Sequence, residues 1–185
     1  MLHLRRPFPI RQARFAALAA AVALAAPGAT SAQVPLERVN VTAARSAEAD
    51  ALSDKAAALY GSPSKFKDAA RLHLRAADLR AADDARAYDD LNMAARLYWS
   101  AGDVSRAQEV MVRAAEQAAA RGDVVAAATS YVDAGFLAID ERRTDLVPEL
   151  ALKARLLASS PLLTEGQRAE IMRRVGSPKV AVGSP

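Results

Sequence analysis

Two Gly-Asp pairs, Gly102-Asp103 and Gly122-Asp123, stand 20 residues apart. Glycine accepts positive φ without a Cβ penalty, so it ends a helix cleanly. An aspartate directly after it can accept hydrogen bonds from the free amides of the next helix. A stop-and-cap signal repeated at a fixed interval predicts helices of about equal length, stacked in alternation. Between the signals the apolar spacing is helical. Leu91, Ala94, Ala95 and Tyr98 fall at i, i+3, i+4 and i+7. Val104, Ala107, Met111, Ala114 and Ala118 form a second stripe, and its small side chains allow two helix axes to approach closely. Arg121 ends that helix with a charge favourable to its dipole.

Weaker copies flank this hairpin. Ser46 is the expected cap and Gly61 the expected end of an earlier helix. Ser62-Pro63 opens the next, with a buried stripe of Phe66, Ala69, Ala70, His73, Leu74 and Ala77. The stretch Leu79–Tyr88 lacks Gly and Pro, so either Asp83 or Asp84 caps the helix that follows or the two helices fuse. After Asp123, the residues Tyr131, Ala134, Gly135 and Ala138 lie 40 positions beyond Leu91, Ala94, Ala95 and Tyr98. Gly135 in place of Ala95 is expected at a close packing point, because a mid-helix glycine costs about 1 kcal/mol. Glu141-Arg142-Arg143 forms the next turn, Thr144 or Asp145 caps the helix Asp145–Ala158, and Pro148 sits harmlessly in its first turn. Thr164-Glu165-Gly166-Gln167 has capping-box spacing, and the helix it opens should cover the last hairpin. The expectation is an all-α fold: about three antiparallel hairpins over residues 46–175, closed by a C-terminal capping helix.

Tyr98, Gly102-Asp103, Ala107, Met111 and Ala114 resemble the spacing of a tetratricopeptide repeat. Leu91 stands where that family often has Trp, and no Pro closes the second helix. The resemblance implies an α-solenoid whose concave surface, lined by the first helix of each hairpin, binds an extended peptide. On the matching positions that face is Asn92, Arg96, Trp99 and Ser100, followed by Val132, Phe136 and Ile139. Asn and Arg suit a peptide backbone or carboxylate, and an aromatic can anchor a side chain. The competing reading packs Trp99 and Phe136 into the contact between repeats.

Ahead of the array, Met1–Ala32 reads as a signal peptide. A basic region ends at Arg14, an apolar run covers Phe15–Ala26, and Thr30-Ser31-Ala32 offers small residues for cleavage. The apolar run is shorter than the roughly 20 residues a membrane span requires. Arg5-Arg6-Pro7-Phe8 resembles a twin-arginine signal, although a general secretory signal explains the same residues and is preferred. Residues 33–45 read as an extended linker, because Val34, Leu36, Val39 and Val41 alternate with polar neighbours. Leu36–Ala43 resembles the N-terminal segments of TonB-dependent outer-membrane receptors, but the barrel that should follow is missing. Residues 176–185 read as a loose tail.

The chain has 25 Lys and Arg against 21 Asp and Glu. Four of the arginines lie in residues 1–32, so the remainder is formally neutral and offers no electrostatic case for nucleic acid or an anionic membrane. The chain contains no cysteine, which excludes a lipid-modified cysteine anchor, thiol chemistry and thiolate metal sites. No phosphate loop, HExxH or GxSxG motif is present. His73 lies on an apolar stripe, where a packed, hydrogen-bonded side chain is expected rather than a catalyst. Asp83-Asp84 and Asp89-Asp90 are expected to serve in capping and solvation, because adjacent helical residues point about 100° apart. Arg121-Gly122-Asp123 fits a helix stop and cap rather than an adhesion tripeptide.

The sequence therefore predicts an exported, periplasmic or secreted, non-enzymatic adaptor without cofactor or metal. It would hold a protein or peptide partner of the cell envelope in its groove. The alternative is a structural or self-assembling envelope protein, and a homo-oligomer is compatible with either.

Overall fold

Three chain reversals, 20 residues apart, share one backbone geometry. At the first, Gly102 adopts φ +77°, its amide donates to the Trp99 carbonyl at 3.0 Å, and the Asp103 amide donates to the Tyr98 carbonyl at 2.9 Å. At the second, Gly122 has φ +77°, with bonds from Gly122 to Ala119 at 3.0 Å and from Asp123 to Ala118 at 2.9 Å. At the third, Arg142 occupies the glycine position with φ +64°, and the Arg142 and Arg143 amides reach Ile139 and Ala138 at 3.0 and 2.8 Å. This nested pair satisfies orphan carbonyls of the helix end at each turn. The turn at residues 141–143 is where the sequence places it, but its left-handed residue is an arginine.

The computed structural model describes residues 36–176, with side chains from residue 41 onward. The expected signal peptide, the start of the linker and the tail after Gly176 lie outside the described residues. Among the described residues there are seven α-helices and no strand: α1 (Leu36–Ala57), α2 (Phe66–Leu79), α3 (Ala85–Ser100), α4 (Val104–Ala120), α5 (Val124–Asp140), α6 (Val147–Ala158) and α7 (Glu165–Val175). Each helix packs chiefly against its neighbours in sequence, so the fold is an all-α helical array.

Polar bonds between alternate helices define two layers. Asp50 and Ser53 of α1 bond Arg86 and Asp90 of α3 at 2.9 and 2.7 Å. The Tyr88 hydroxyl of α3 meets the Ser130 hydroxyl of α5 at 3.1 Å, and Arg174 of α7 pairs with Asp133 of α5. Helices α1, α3, α5 and α7 thus share one layer. Helix α2 bonds α4 and its cap in the other, through Asp78 with Arg113 and Lys67 with Asp103. The core between the layers is built largely from alanine. Ala69, Ala70, Ala94, Ala95, Ala107, Ala114, Ala134 and Ala138 are fully buried or nearly so, and Leu91 is the largest fully buried apolar side chain. Small side chains at these positions bring helix axes together, and burying Leu91 alone contributes about 1.5–3 kcal/mol.

Several boundaries differ from expectation. Residues 36–45 are not an extended linker but the first turns of α1, and Ser46 lies inside that helix rather than capping it. The β-branched Val39, Val41 and Thr42 lower helix propensity only slightly, and the alanine-rich stretch behind them lets the helix propagate backwards. Asp84, not Asp83, caps α3, accepting from the Arg86 amide at 2.9 Å. Asp123 caps α5 through the Ala126 amide at 3.0 Å, whereas Asp103 makes no side-chain cap and pairs instead with Lys67 at 2.9 Å. Neither Thr144 nor Asp145 caps α6, since a 3-10 turn over Thr144–Leu146 leads into it. The capping box at Thr164 and Gln167 forms as expected. Gly135 is not at a close approach: a Cβ built there meets nothing within 4 Å.

Candidate functional site

The sequence-derived binding face divides into an open half and a closed half. On α3, Arg96 and Ser100 are exposed, and Trp99 retains 37% of its surface. Arg96 has no ion-pair or hydrogen-bond partner among the described residues. Asn92 is half-buried, and its amide donates to the Tyr88 hydroxyl at 3.3 Å, which in turn meets Ser130. On α5 the picture reverses. Val132, only 5% exposed, belongs to the core. Ile139 is half-buried against that core. Phe136 lies under the Arg174 guanidinium of α7, 5.7 Å from its ring centroid, while Arg174 is itself tied to Asp133. The capping helix therefore covers Phe136. Of the seven residues, Arg96, Trp99 and Ser100 form the accessible group.

A buried polar chain, not foreseen in the sequence, joins the first three helices. The Tyr60 hydroxyl meets His73 Nε2, and His73 Nδ1 lies 2.8 Å from Asp90 Oδ1. Ser53 donates to the same oxygen at 2.7 Å, and Arg80 Nε donates to Asp90 Oδ2 at 2.6 Å. Arg80 also reaches Asp50 at 2.8 Å. Asp90 is thus not a solvated residue: it is buried with His73 and the Arg80 side chain. Burial would raise its carboxyl, but the bonds from His73, Arg80 and Ser53 outweigh that and hold it below its ordinary value. Burial, reinforced by the Asp90 charge, pushes the Tyr60 phenol up to about 12. A phenol held protonated donates to Nε2, which leaves the His73 proton on Nδ1 facing Asp90. A hydroxyl raised in this way is a poor nucleophile near neutral pH. The chain clamps α1, α2 and α3 together, and His73 is the hydrogen-bonded core histidine the sequence suggests. Its partners were out of reach of sequence reasoning, since they come from the α1–α2 loop and from α3. Partial desolvation, then the Asp90 charge, raises the Asp89 carboxyl.

The opposite surface carries a cleft of about 600 Å³ between α2 and α4, lined by Lys67, Arg71, Leu74, Arg75, Tyr98 and Arg106 among others. Its cations are already matched: Lys67 with Asp103 at 2.9 Å, Arg71 with Asp68 at 3.0 Å, Arg75 with Glu48 at 3.1 Å and Arg106 with Glu109 at 2.7 Å. A ligand there would have to displace existing ion pairs.

Among the described residues no group of three or more His, Asp or Glu side chains could hold a metal ion, and no helix is long and apolar enough to cross a membrane. Comparison with protein-family models, curated proteins and solved structures finds no match. The fold defines an all-α helical array.

Proposed function

We propose that the chain is an exported adaptor, built from tetratricopeptide-like hairpins, that binds a protein or peptide of the cell envelope through a groove on the exposed side of α3. The observation that carries this reading is Arg96: a guanidinium without a partner among the described residues, one turn from an exposed tryptophan, on a surface where most cations have an acidic partner. Arg96 suits a carboxylate of the ligand, Ser100 and the Asn92 carbonyl suit its backbone, and Trp99 suits an apolar side chain. The share of α5 is smaller than the family resemblance implies, because Val132 is core and Phe136 is covered. Export rests on the sequence of residues 1–32, and the reading as an adaptor rather than an enzyme rests on the lack of a catalytic motif in the sequence. The test is affinity capture with crosslinking from the chain's own envelope extract, using residues 33–185 beside an Arg96→Ala/Trp99→Ala variant of matched helicity. The proposal expects one protein captured by the first and lost from the second. Equal capture by both moves the interface off α3.

A further inference from the structure

Helix α6 differs from α2 and α4 in the side chains it exposes. The exposed positions of α2 are Lys67, Arg71, Arg75 and Asp78, and those of α4 are Arg106, Glu109, Arg113 and Glu116, with Ala119 and Ala120 in its last turn. On α6 the corresponding surface carries Leu152, 55% exposed, and Leu156, 64% exposed, one turn apart, with Leu162 just beyond the helix at 75%. The other face of α6 is apolar too: Val147, Leu150, Ala154 and Ala158 are buried against the array. The outward side of α6 thus sets Leu152 and Leu156 among Pro148, Glu149 and Arg155. A terminal repeat normally turns a polar face outward, and α7 does not cover these leucines, since α7 joins the layer of α1, α3 and α5. These three leucines expose on the order of 300–400 Å² of apolar surface, the scale at which a patch marks an interaction site.

We infer that the occupant is a second copy of this chain, docked α6 against α6 in antiparallel fashion about a two-fold axis near Leu152. The charge pattern favours self-association. Glu149 lies three residues before Leu152 and Arg155 three after it, both exposed. An antiparallel copy brings each Glu149 level with the other copy's Arg155, and Pro148 level with Leu156. Arg155 has no partner among the described residues. Among the described residues Glu149 is held by Lys153 at 2.8 Å and keeps acceptor capacity for a second cation. Among residues 41–79, at the other end of the array, the one large apolar side chain well exposed is Val41. A two-fold contact of α6 with its copy is isologous and closes as a dimer rather than growing head to tail. This inference is independent of the ligand assigned to Arg96 and Trp99.

The test is sedimentation equilibrium of the full-length chain and its variants across a wide concentration range. The unaltered chain is expected to show a reversible monomer–dimer equilibrium, as suits a contact smaller than the roughly 800 Å² per partner of stable complexes. Leu152→Glu should weaken the dimer by about a hundredfold without changing helicity, because the site is exposed in the monomer. Glu149→Arg and Arg155→Glu should each weaken it by about tenfold, and the two together should restore it, because the pairs are remade with charges exchanged. A monomer at every concentration overturns the inference, and some other segment or protein then covers the face. A dimer indifferent to Leu152→Glu, or a double reversal no better than the single ones, overturns it as well.

Discussion

Arg142→Gly should stabilise the array, and the reasoning can be worked through its two sister turns. Arg142 has φ +64° where Gly102 and Gly122 have φ +77°, and all three carry the same pair of helix-ending hydrogen bonds. Holding an L-residue in the left-handed region costs about 1–2 kcal/mol. Glycine removes that strain but adds freedom to the unfolded chain, which returns about 0.5–1 kcal/mol. The net gain is about 0.5–1 kcal/mol. Nothing offsets it, because the Arg142 side chain is exposed and has no partner among the described residues. The mirror changes, Gly102→Ala and Gly122→Ala, should each lose about 0.5–1 kcal/mol. The loss would be conformational and not steric, since a Cβ at either glycine meets nothing within 4 Å. Urea unfolding followed by circular dichroism reads both. With a slope of about 2 kcal/mol per molar, the midpoint should rise by roughly 0.4 M for Arg142→Gly and fall by a similar amount for each alanine. Arg142→Ala keeps the strain and should leave the midpoint in place. An Arg142→Gly protein no more stable than the unaltered chain, at unchanged slope, would refute the claim that the three turns are equivalent.

Other consequences are as direct. Gly135→Ala should raise stability by about 1 kcal/mol in the same assay, because the helix gains propensity and the new methyl has room; a loss would restore the close approach first expected there. Asp90→Ala should cost about 3–5 kcal/mol, because it strands the buried Arg80 guanidinium and the His73 Nδ1 proton; a thermal midpoint within a few degrees of the parent would show that the clamp contributes little. The pH profile should have two limbs. The Asp90 and Asp84 carboxyls are held below their unfolded value of 3.8, so their stabilisation is complete above that value and is lost as pH falls through the lower folded values. The Tyr60 phenol is raised from 10.0 to about 12, so stability is complete below 10.0 and drains away as pH rises towards 12; Tyr60→Phe should flatten that alkaline limb.

Local signals were legible in the sequence and distant ones were not. The glycine stops, the alanine stripes and the Thr164 capping box each lie within a few residues of one another, and the helices form where those signals put them. Arg142 escaped notice because a left-handed arginine has no compositional signature; only its spacing from Gly102 and Gly122 could have marked it. The start of α1 differs from the extended reading because apolar and polar residues alternate around Val39 and Val41, while helix propagation from Ala43-Ala44 decides the outcome. Gly135 was misread because a mid-helix glycine can mark a close contact, and here it does not. The clamp around Asp90 draws on α1, the α1–α2 loop, α2 and α3, so no single window of sequence contains it. In the candidate site, Arg96, Trp99 and Ser100 are exposed on α3 while Asn92 is half-buried beside Tyr88, a difference that matching positions to a repeat family does not show. Nor could such matching show that α7 would lay Arg174 over Phe136.

Trp99 is the chain's only tryptophan, so its fluorescence reports on the proposed interface alone. The most direct test is to follow Trp99 emission and acrylamide quenching as the captured envelope protein is titrated in. The account predicts a blue shift and reduced quenching on saturation, with Arg96→Ala weakening the titration while leaving the free spectrum unchanged. A complex that forms fully while Trp99 stays as exposed as before would contradict the account and place the function elsewhere on the array.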